Sequence, residues 1–256
     1  MPLKQKLILI TNDDSIYANG IKSLVQMAQK IARVVVVAPD KPQSGMGHAI
    51  TLNHPIRIQS VSMLDGVEAF STSGTPVDCV KLAIYEVLKD KPDLILSGIN
   101  HGENSSSNVL YSGTMSAAIE GAMEGVPSIG ISLSNYDSDA NFNQYESWVS
   151  DIISKALTDG LPEHTCLNVN IPNVPGKDIK GLRVCHQAHA FWEDRFDKRL
   201  DQFGRPYFWL TGAFSEKSDD KGSDLYALTR GYISIVPTTF DLTNYAVINQ
   251  LNTWNI

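Results

Sequence analysis

The chain reads as an α/β protein built on a mostly parallel, doubly wound sheet, with a β-hairpin extension near its C-terminus. Three observations predict this. Apolar runs such as Leu7-Ile8-Leu9-Ile10 and Val34-Val35-Val36-Val37 are bounded by polar residues, as in strands buried on both faces. Stretches with helical apolar spacing alternate with such runs to about residue 175. Past residue 186 the pattern changes to aromatic and charged residues flanking a turn, Asp201-Gln202-Phe203-Gly204-Arg205-Pro206.

Taken in order, the first strand ends in Thr11-Asn12-Asp13-Asp14-Ser15. Ile21, Leu24, Val25, Ala28 and Ile31 then predict an amphipathic helix over 19–30, and a second strand over 33–38 completes a right-handed βαβ unit. Ser44-Gly45-Met46-Gly47-His48 is a glycine-rich loop, followed by β-like runs near 49–52 and 56–61. Thr75-Pro76 opens a helix with Thr as N-cap and Pro at the first position. A third strand at 93–98, a small-residue helix from Gly113-Thr114, a fourth strand at 127–133, a helix over 145–157 and a strand at 166–171 follow. Phe191-Trp192 and Tyr207-Phe208-Trp209-Leu210 flank the late turn as a long hairpin. So many aromatics exceed what a hairpin covers by itself, which predicts a partner subunit. A polar loop from Ser218 to Ser223, a helix-like turn, a strand at 232–236 and a tail end the chain. This divides it into a core, 1–185, and an extension, 186–256, that partly returns to the core.

With 43% hydrophobic and 19% charged residues the composition is that of an ordinary globular protein. The formal net charge of −7 gives no general attraction to nucleic acid or an anionic membrane. No apolar run approaches the ~20 residues needed to cross a bilayer, and the first strand leaves no room for a signal peptide. Cys79, Cys166 and Cys185 are odd in number and far apart, as reduced thiols would be. A cytoplasmic protein is expected.

Asp13 and Asp14 stand at the carboxyl end of the first strand, the edge at which open α/β sheets bind ligands. Adjacent carboxylates repel, so a hard divalent cation is their natural partner. Ser44-Gly45 and Asn100 with Asn104 also follow predicted strands, so the three loops are expected to converge on one crevice with oxygen donors. Singly, Ser44 and Asn100 also suit turn chemistry. Tyr111-Ser112-Gly113-Thr114 precedes the small-residue helix, where backbone N–H groups and two hydroxyls would receive an anion. A metal site and an anion-binding helix start in one crevice fit a phosphate ester. His48 and His101 lie in these loops as candidate proton donors. Cys185, His186 and His189 lack the second ligand pair of a zinc site. A dinucleotide fingerprint, a Walker lysine and a GxSxG elbow are absent from the sequence.

These residues carry a resemblance. Ile10-Thr11-Asn12-Asp13-Asp14-Ser15 with Gly20-Ile21, Ala38-Pro39-Asp40 with Ser44-Gly45, and Ser97-Gly98-Ile99-Asn100-His101-Gly102-Glu103-Asn104 follow one another in order. Tyr111-Ser112-Gly113-Thr114, Asn168-Val169-Asn170-Ile171-Pro172, Gly204-Arg205-Pro206-Tyr207 and Gly231-Tyr232-Ile233-Ser234 continue the series. The chain resembles the survival protein SurE family of metal-dependent 5'-nucleotidases. The resemblance implies a Rossmann-like α/β/α fold whose C-terminal hairpin is exchanged between subunits of a homodimer or homotetramer. It implies hydrolysis of nucleoside 5'-monophosphates, in some members also of 3'-monophosphates and short polyphosphate. It implies one divalent cation per subunit, Mg²⁺ or Mn²⁺, with Ca²⁺ able to stand in within crystals. By position Asp13, Asp14, Ser44 and Asn100 would bind the metal, and Gly45, Asn104, Ser112, Gly113 and Thr114 the phosphate. Asp13 would also be catalytic; whether it or a metal-activated water attacks phosphorus is open at this level. Met115, Glu103 and the serine-rich stretch after Asn104 depart from the family pattern and bear on base and sugar preference. Two other classes compete: a different phosphatase on a similar sheet, of the kind that needs an Asp-x-Asp turn after the first strand where here the acids are adjacent, and a non-catalytic metal- or nucleotide-binding regulator, which turnover would separate from an enzyme.

Overall fold

The computed structural model describes residues 5–63, 66–216 and 220–254. Its strands are β1 (Leu7–Thr11), β2 (Arg33–Pro39), β3 (Ile58–Ser60), β4 (Glu68–Thr72), β5 (Leu94–His101) and β6 (Ser128–Leu133). They continue as β7 (Cys166–Ile171), β8 (Leu182–Val184), β9 (Ala190–Leu200), β10 (Pro206–Glu216) and β11 (Ile233–Thr238). Its α-helices are α1 (Asn19–Ala28), α2 (Pro76–Leu82), α3 (Gly113–Met123), α4 (Glu146–Asp159), α5 (Asp224–Thr229) and α6 (Tyr245–Leu251). One nine-stranded sheet has the order β3-β4-β2-β1-β5-β6-β7-β11-β8. The run from β4 to β7 is parallel, while β3 and β11 pair antiparallel to β4 and β7.

The buried strands read as they do because both faces are covered. Along β1 the side chains alternate: Ile8 and Ile10 join Ile21, Leu24 and Val25 of α1 and Val149 and Ile153 of α4 in one cluster. Leu7 and Leu9 face the other way, toward Cys79 and Val80 of α2 and Ala117 of α3. The result is the expected three-layer α/β/α sandwich. Each fully buried aliphatic side chain stabilises it by about 1.5–3 kcal/mol. Helix α2 begins as predicted with Thr75 as N-cap and Pro76 at its start, and Asp78 completes a capping box. It runs on as a single π-helical segment, Ala83–Val87. Cys79 and Cys166 are buried and free, and burial pushes both thiols up to about 12, so they are inert.

Parts of the fold differ from the sequence reading, among them the short edge strand β8, which that reading lacks. Residues 49–52 form no strand; Thr51 instead donates its N–H and hydroxyl to Asp78 at the start of α2. Strand β4 was not anticipated, because Glu68-Ala69-Phe70-Ser71-Thr72 has no aliphatic run, and its place beside β2 comes from backbone pairing. The tail contains α6, none of whose residues is buried. Strand β11 slots between β7 and β8, so the chain returns to the central sheet after the hairpin. Of the expected polar loop, Ser218 and Asp219 lie outside the described residues. Among the described residues β9 and β10 pair with each other alone, and Phe196, Phe203, Phe208, Trp209 and Leu210 are exposed. No helix of the described residues is long and apolar enough to cross a membrane.

Candidate functional site

The strand order decides where the site lies. After β1 the chain moves to β2 and β4 on one side, and then crosses to β5 on the other. The β1/β5 junction is therefore the topological switch point, where the loops at the carboxyl ends diverge and leave a crevice. Asp13 and Asp14 follow β1, Asn100 lies at the end of β5, and the loop bearing Ser44 and Gly45 follows β2.

Asp13 is 4% exposed. Its Oδ1 accepts from the Thr114 hydroxyl at 2.5 Å, and its carbonyl accepts from the Gln43 N–H at 2.7 Å. Burial, reinforced by the charge of Asp14, pushes its carboxyl from 3.8 up to about 6 despite the Thr114 hydrogen bond. Asp14 is also raised, again chiefly by burial, and its Oδ2 accepts from the His101 N–H at 3.2 Å. Among the described residues neither carboxylate is ion-paired with a lysine or arginine. Two adjacent, partly desolvated carboxylates lacking a lysine or arginine partner among the described residues fit a hard cation, and the neighbouring donors are hydroxyl and amide oxygens. Asn100 donates its Nδ2 to the Gly102 carbonyl at 2.8 Å, which fixes the amide and leaves its Oδ1 as the available donor atom. Ser44 and Gly45 are exposed, on a loop tied to Asp13 through Gln43. Gly45 has φ +75°, which a glycine adopts without strain.

The start of α3 stands against Asp13. Ser112 caps it, accepting from the Met115 N–H at 3.0 Å, and its own hydroxyl hydrogen remains available for an anion. Gly113 is required there by space: a Cβ would lie 2.7 Å from the Asp13 Cβ and 3.0 Å from its Oδ2. Asn104 is 7% exposed and held on three sides. Its N–H donates to Asn170 Oδ1 at 2.7 Å, its Nδ2 to Ser132 Oγ at 2.8 Å, and its carbonyl accepts from Asn168 Nδ2 at 2.8 Å.

Asn168, Asn170 and Ser132 are the positioning residues that reading the sequence for chemistry passed over. The signal was present: two asparagines at i and i+2 place two buried amides on one face of an otherwise apolar strand, and such groups need partners. Asn12 was missed too; its amide donates to the Ser15 carbonyl at 2.8 Å and braces the acidic turn, where Ser15 has φ +92°. The histidines serve elsewhere. His101 packs edge-on against Phe142, His48 hydrogen-bonds Glu120, and His186 pairs with Asp220. No cluster of three His, Cys, Asp or Glu suited to a metal occurs among the described residues, so nothing there supports a zinc site at Cys185 and His186.

The sequence and the fold are similar to those of known proteins. The family model for survival protein SurE matches residues 8–194. The 5'-nucleotidase SurE of Flavobacterium psychrophilum is 51% identical over 255 residues, 99% of either chain. That of Cytophaga hutchinsonii is 50% identical over 251 residues, 98% of this chain and 97% of the relative. The crystal structure of the SurE protein from Aquifex aeolicus matches with a TM-score of 0.84 at 38% identity, over 96% of this chain and 98% of that one. With a family model spanning most of its length and relatives this similar end to end, the chain belongs to the SurE family.

Proposed function

We propose that this protein is a divalent-metal-dependent 5'-nucleotidase, hydrolysing nucleoside 5'-monophosphates to nucleoside and phosphate. The observation that carries the reading is the pair Asp13 and Asp14, Asp13 buried against the N-terminus of α3 and Asp14 half-buried beside it, neither paired with a lysine or arginine among the described residues. Asp13, Asp14, Ser44 and Asn100 are the residues that would hold one Mg²⁺ or Mn²⁺ per subunit. When bound, that ion supplies Lewis-acid neutralisation of phosphate oxygens. The chain's own groups do the rest. The Gly113 and Thr114 N–H groups, the Ser112 hydroxyl and the Gly45 backbone surround the phosphate with donors at a positive helix end. Asn104, immobilised by Asn168, Asn170 and Ser132, adds a preoriented amide. The Thr114 hydroxyl holds the Asp13 carboxylate in one orientation, aimed for attack on phosphorus or for accepting a proton from an attacking water.

The direct test is phosphate release from nucleoside 5'- and 3'-monophosphates and short polyphosphate, with Mg²⁺, with Mn²⁺ and with a chelator. Release that is metal-dependent and greatest for 5'-monophosphates is expected. Folded protein that releases nothing under every condition would leave a binding site and favour a regulator.

The core-and-extension organisation, 1–185 and 186–256, belongs to the same reading, with assembly as a homodimer or homotetramer through the hairpin in a cytoplasmic enzyme. The exposed apolar residues of β9 and β10 support assembly, since a two-stranded ribbon is marginal in water. The hairpin base is built into the core: Ser106 donates to the Ala190 carbonyl at 2.6 Å and Asp224 accepts from the Ala188 N–H at 3.0 Å. Deletion should therefore spare these anchors. Removing 191–215 is expected to leave a folded core of smaller hydrodynamic size than the full chain, measured by light scattering. An unchanged subunit number would refute assembly through the hairpin.

A further inference from the structure

The loop that carries Ser44 and Gly45 is exposed and glycine-rich, with φ +75° at Gly45 and +58° at Gly47. Backbone contacts hold its two ends. The Gln43 N–H donates to the Asp13 carbonyl at 2.7 Å, and the Gly47 N–H to the Tyr111 carbonyl at 3.3 Å. Within 44–48, among the described residues, one side chain hydrogen-bonds the body of the protein. His48 Nε2 lies 2.8 Å from Glu120 Oε2.

Glu120 lies two turns along α3 from Ser112, and its side chain is 2% exposed. Its other oxygen receives Lys81 Nζ of α2 at 2.5 Å. Burial pushes this carboxyl up, but the hydrogen bonds from His48 and Lys81 outweigh it and hold the group below its ordinary value. A buried carboxylate kept ionised by a lysine is a fixed acceptor on a rigid helix. A histidine bound to it loses freedom, and so does the short loop preceding it.

We propose that His48 is a positioning residue: by its hydrogen bond to Glu120 it ties the Ser44 and Gly45 loop to the helix whose N-terminus faces the phosphate. The inference rests on the metal-dependent reading above and extends it to the loop that would complete the metal site. The Gln43 bond to the Asp13 carbonyl holds the near end of the loop beside Asp13, and the Gly47 bond to the Tyr111 carbonyl lies at its far end. The His48 contact adds a side-chain tie from that far end to α3, so its loss is felt as weaker metal binding rather than as altered chemistry.

The test is Mn²⁺ binding to the full-length chain without substrate, followed by electron paramagnetic resonance of the free ion. Wild type, His48→Ala and His48→Gln are compared; glutamine retains an amide N–H that can donate to Glu120. His48→Ala is expected to weaken Mn²⁺ binding about 10-fold, the usual scale for losing an outer-shell support. The Mn²⁺ needed for half-maximal phosphate release should rise by the same factor, with kcat at saturating Mn²⁺ unchanged. Since His48 is partly exposed, the thermal midpoint in chelator should move by no more than about 2 °C. His48→Gln should recover most of the affinity. Wild-type affinity in His48→Ala, or equal weakening in both variants, would overturn the inference and leave the metal site intact. Wild-type protein that binds no Mn²⁺ would overturn the metal site itself and this inference with it.

Discussion

Asp13→Asn is expected to lower metal-dependent phosphate release by at least about three orders of magnitude, the scale on which loss of an essential acid, base or charge acts. The same substitution should strengthen the metal-free fold at neutral pH. Asp13 has its carboxyl raised from 3.8 to about 6, so the folded state disfavours the ionised form. The sign follows: this group's contribution to stability is complete below pH 3.8 and is lost as pH rises through about 6. The difference corresponds to about 3 kcal/mol. In chelator, the wild-type melting temperature should fall relative to that of Asp13→Asn between pH 4 and pH 8, by on the order of 5–10 °C. Mn²⁺ should restore the wild type and leave the variant unmoved. Scanning calorimetry at the two pH values checks this. Parallel pH profiles would show that Asp13 is not held at a cost, and full activity in the variant would remove it from the site.

Gly113→Ala should reduce kcat/KM by about 100-fold with the fold retained. The added methyl would meet the Asp13 Cβ at 2.7 Å and its Oδ2 at 3.0 Å, closer than side-chain carbons approach. Helix α3 is pinned by the Ser112 cap and packed against the sheet, so the Asp13 carboxylate must give way and its bond to the Thr114 hydroxyl is broken. A displacement of about 1 Å at a reacting group costs on that order in rate. Alanine is a better helix former than glycine by about 1 kcal/mol, which offsets part of the crowding. Circular dichroism together with kinetics separates the two effects. An alanine variant as active as wild type would show that the approach of α3 to Asp13 has no part in the chemistry.

Most of the architecture was legible because its signal is local. Four consecutive aliphatics in β1 and again in β2 mark strands covered on both faces, and Thr75-Pro76 marks a helix start by the chemistry of its own backbone. The loops after β1, β2 and β5 fall at one edge as expected, since those strands are neighbours and parallel. What escaped depends on partners distant in sequence. Strand β4 has one exposed and one half-buried position among five and owes its place to β2. Asn168 and Asn170 read as interruptions of an apolar strand until Asn104, more than sixty residues earlier, takes their hydrogen bonds.

The sequence by itself determined the α/β class, the acidic pair at a strand end and the membership that the ordered motifs carry. Periodicity, capping and residue chemistry are properties of neighbours along the chain, so these could be read in one dimension. Only the tertiary structure decided that Asp13 is the more buried of the two adjacent acids, that α3 closes on it at Gly113, and that His48 points to Glu120 rather than standing free as a proton donor. Desolvation, steric contact and hydrogen-bond partnership are set by what surrounds a group in space, and the chain supplies those surroundings only once it has folded.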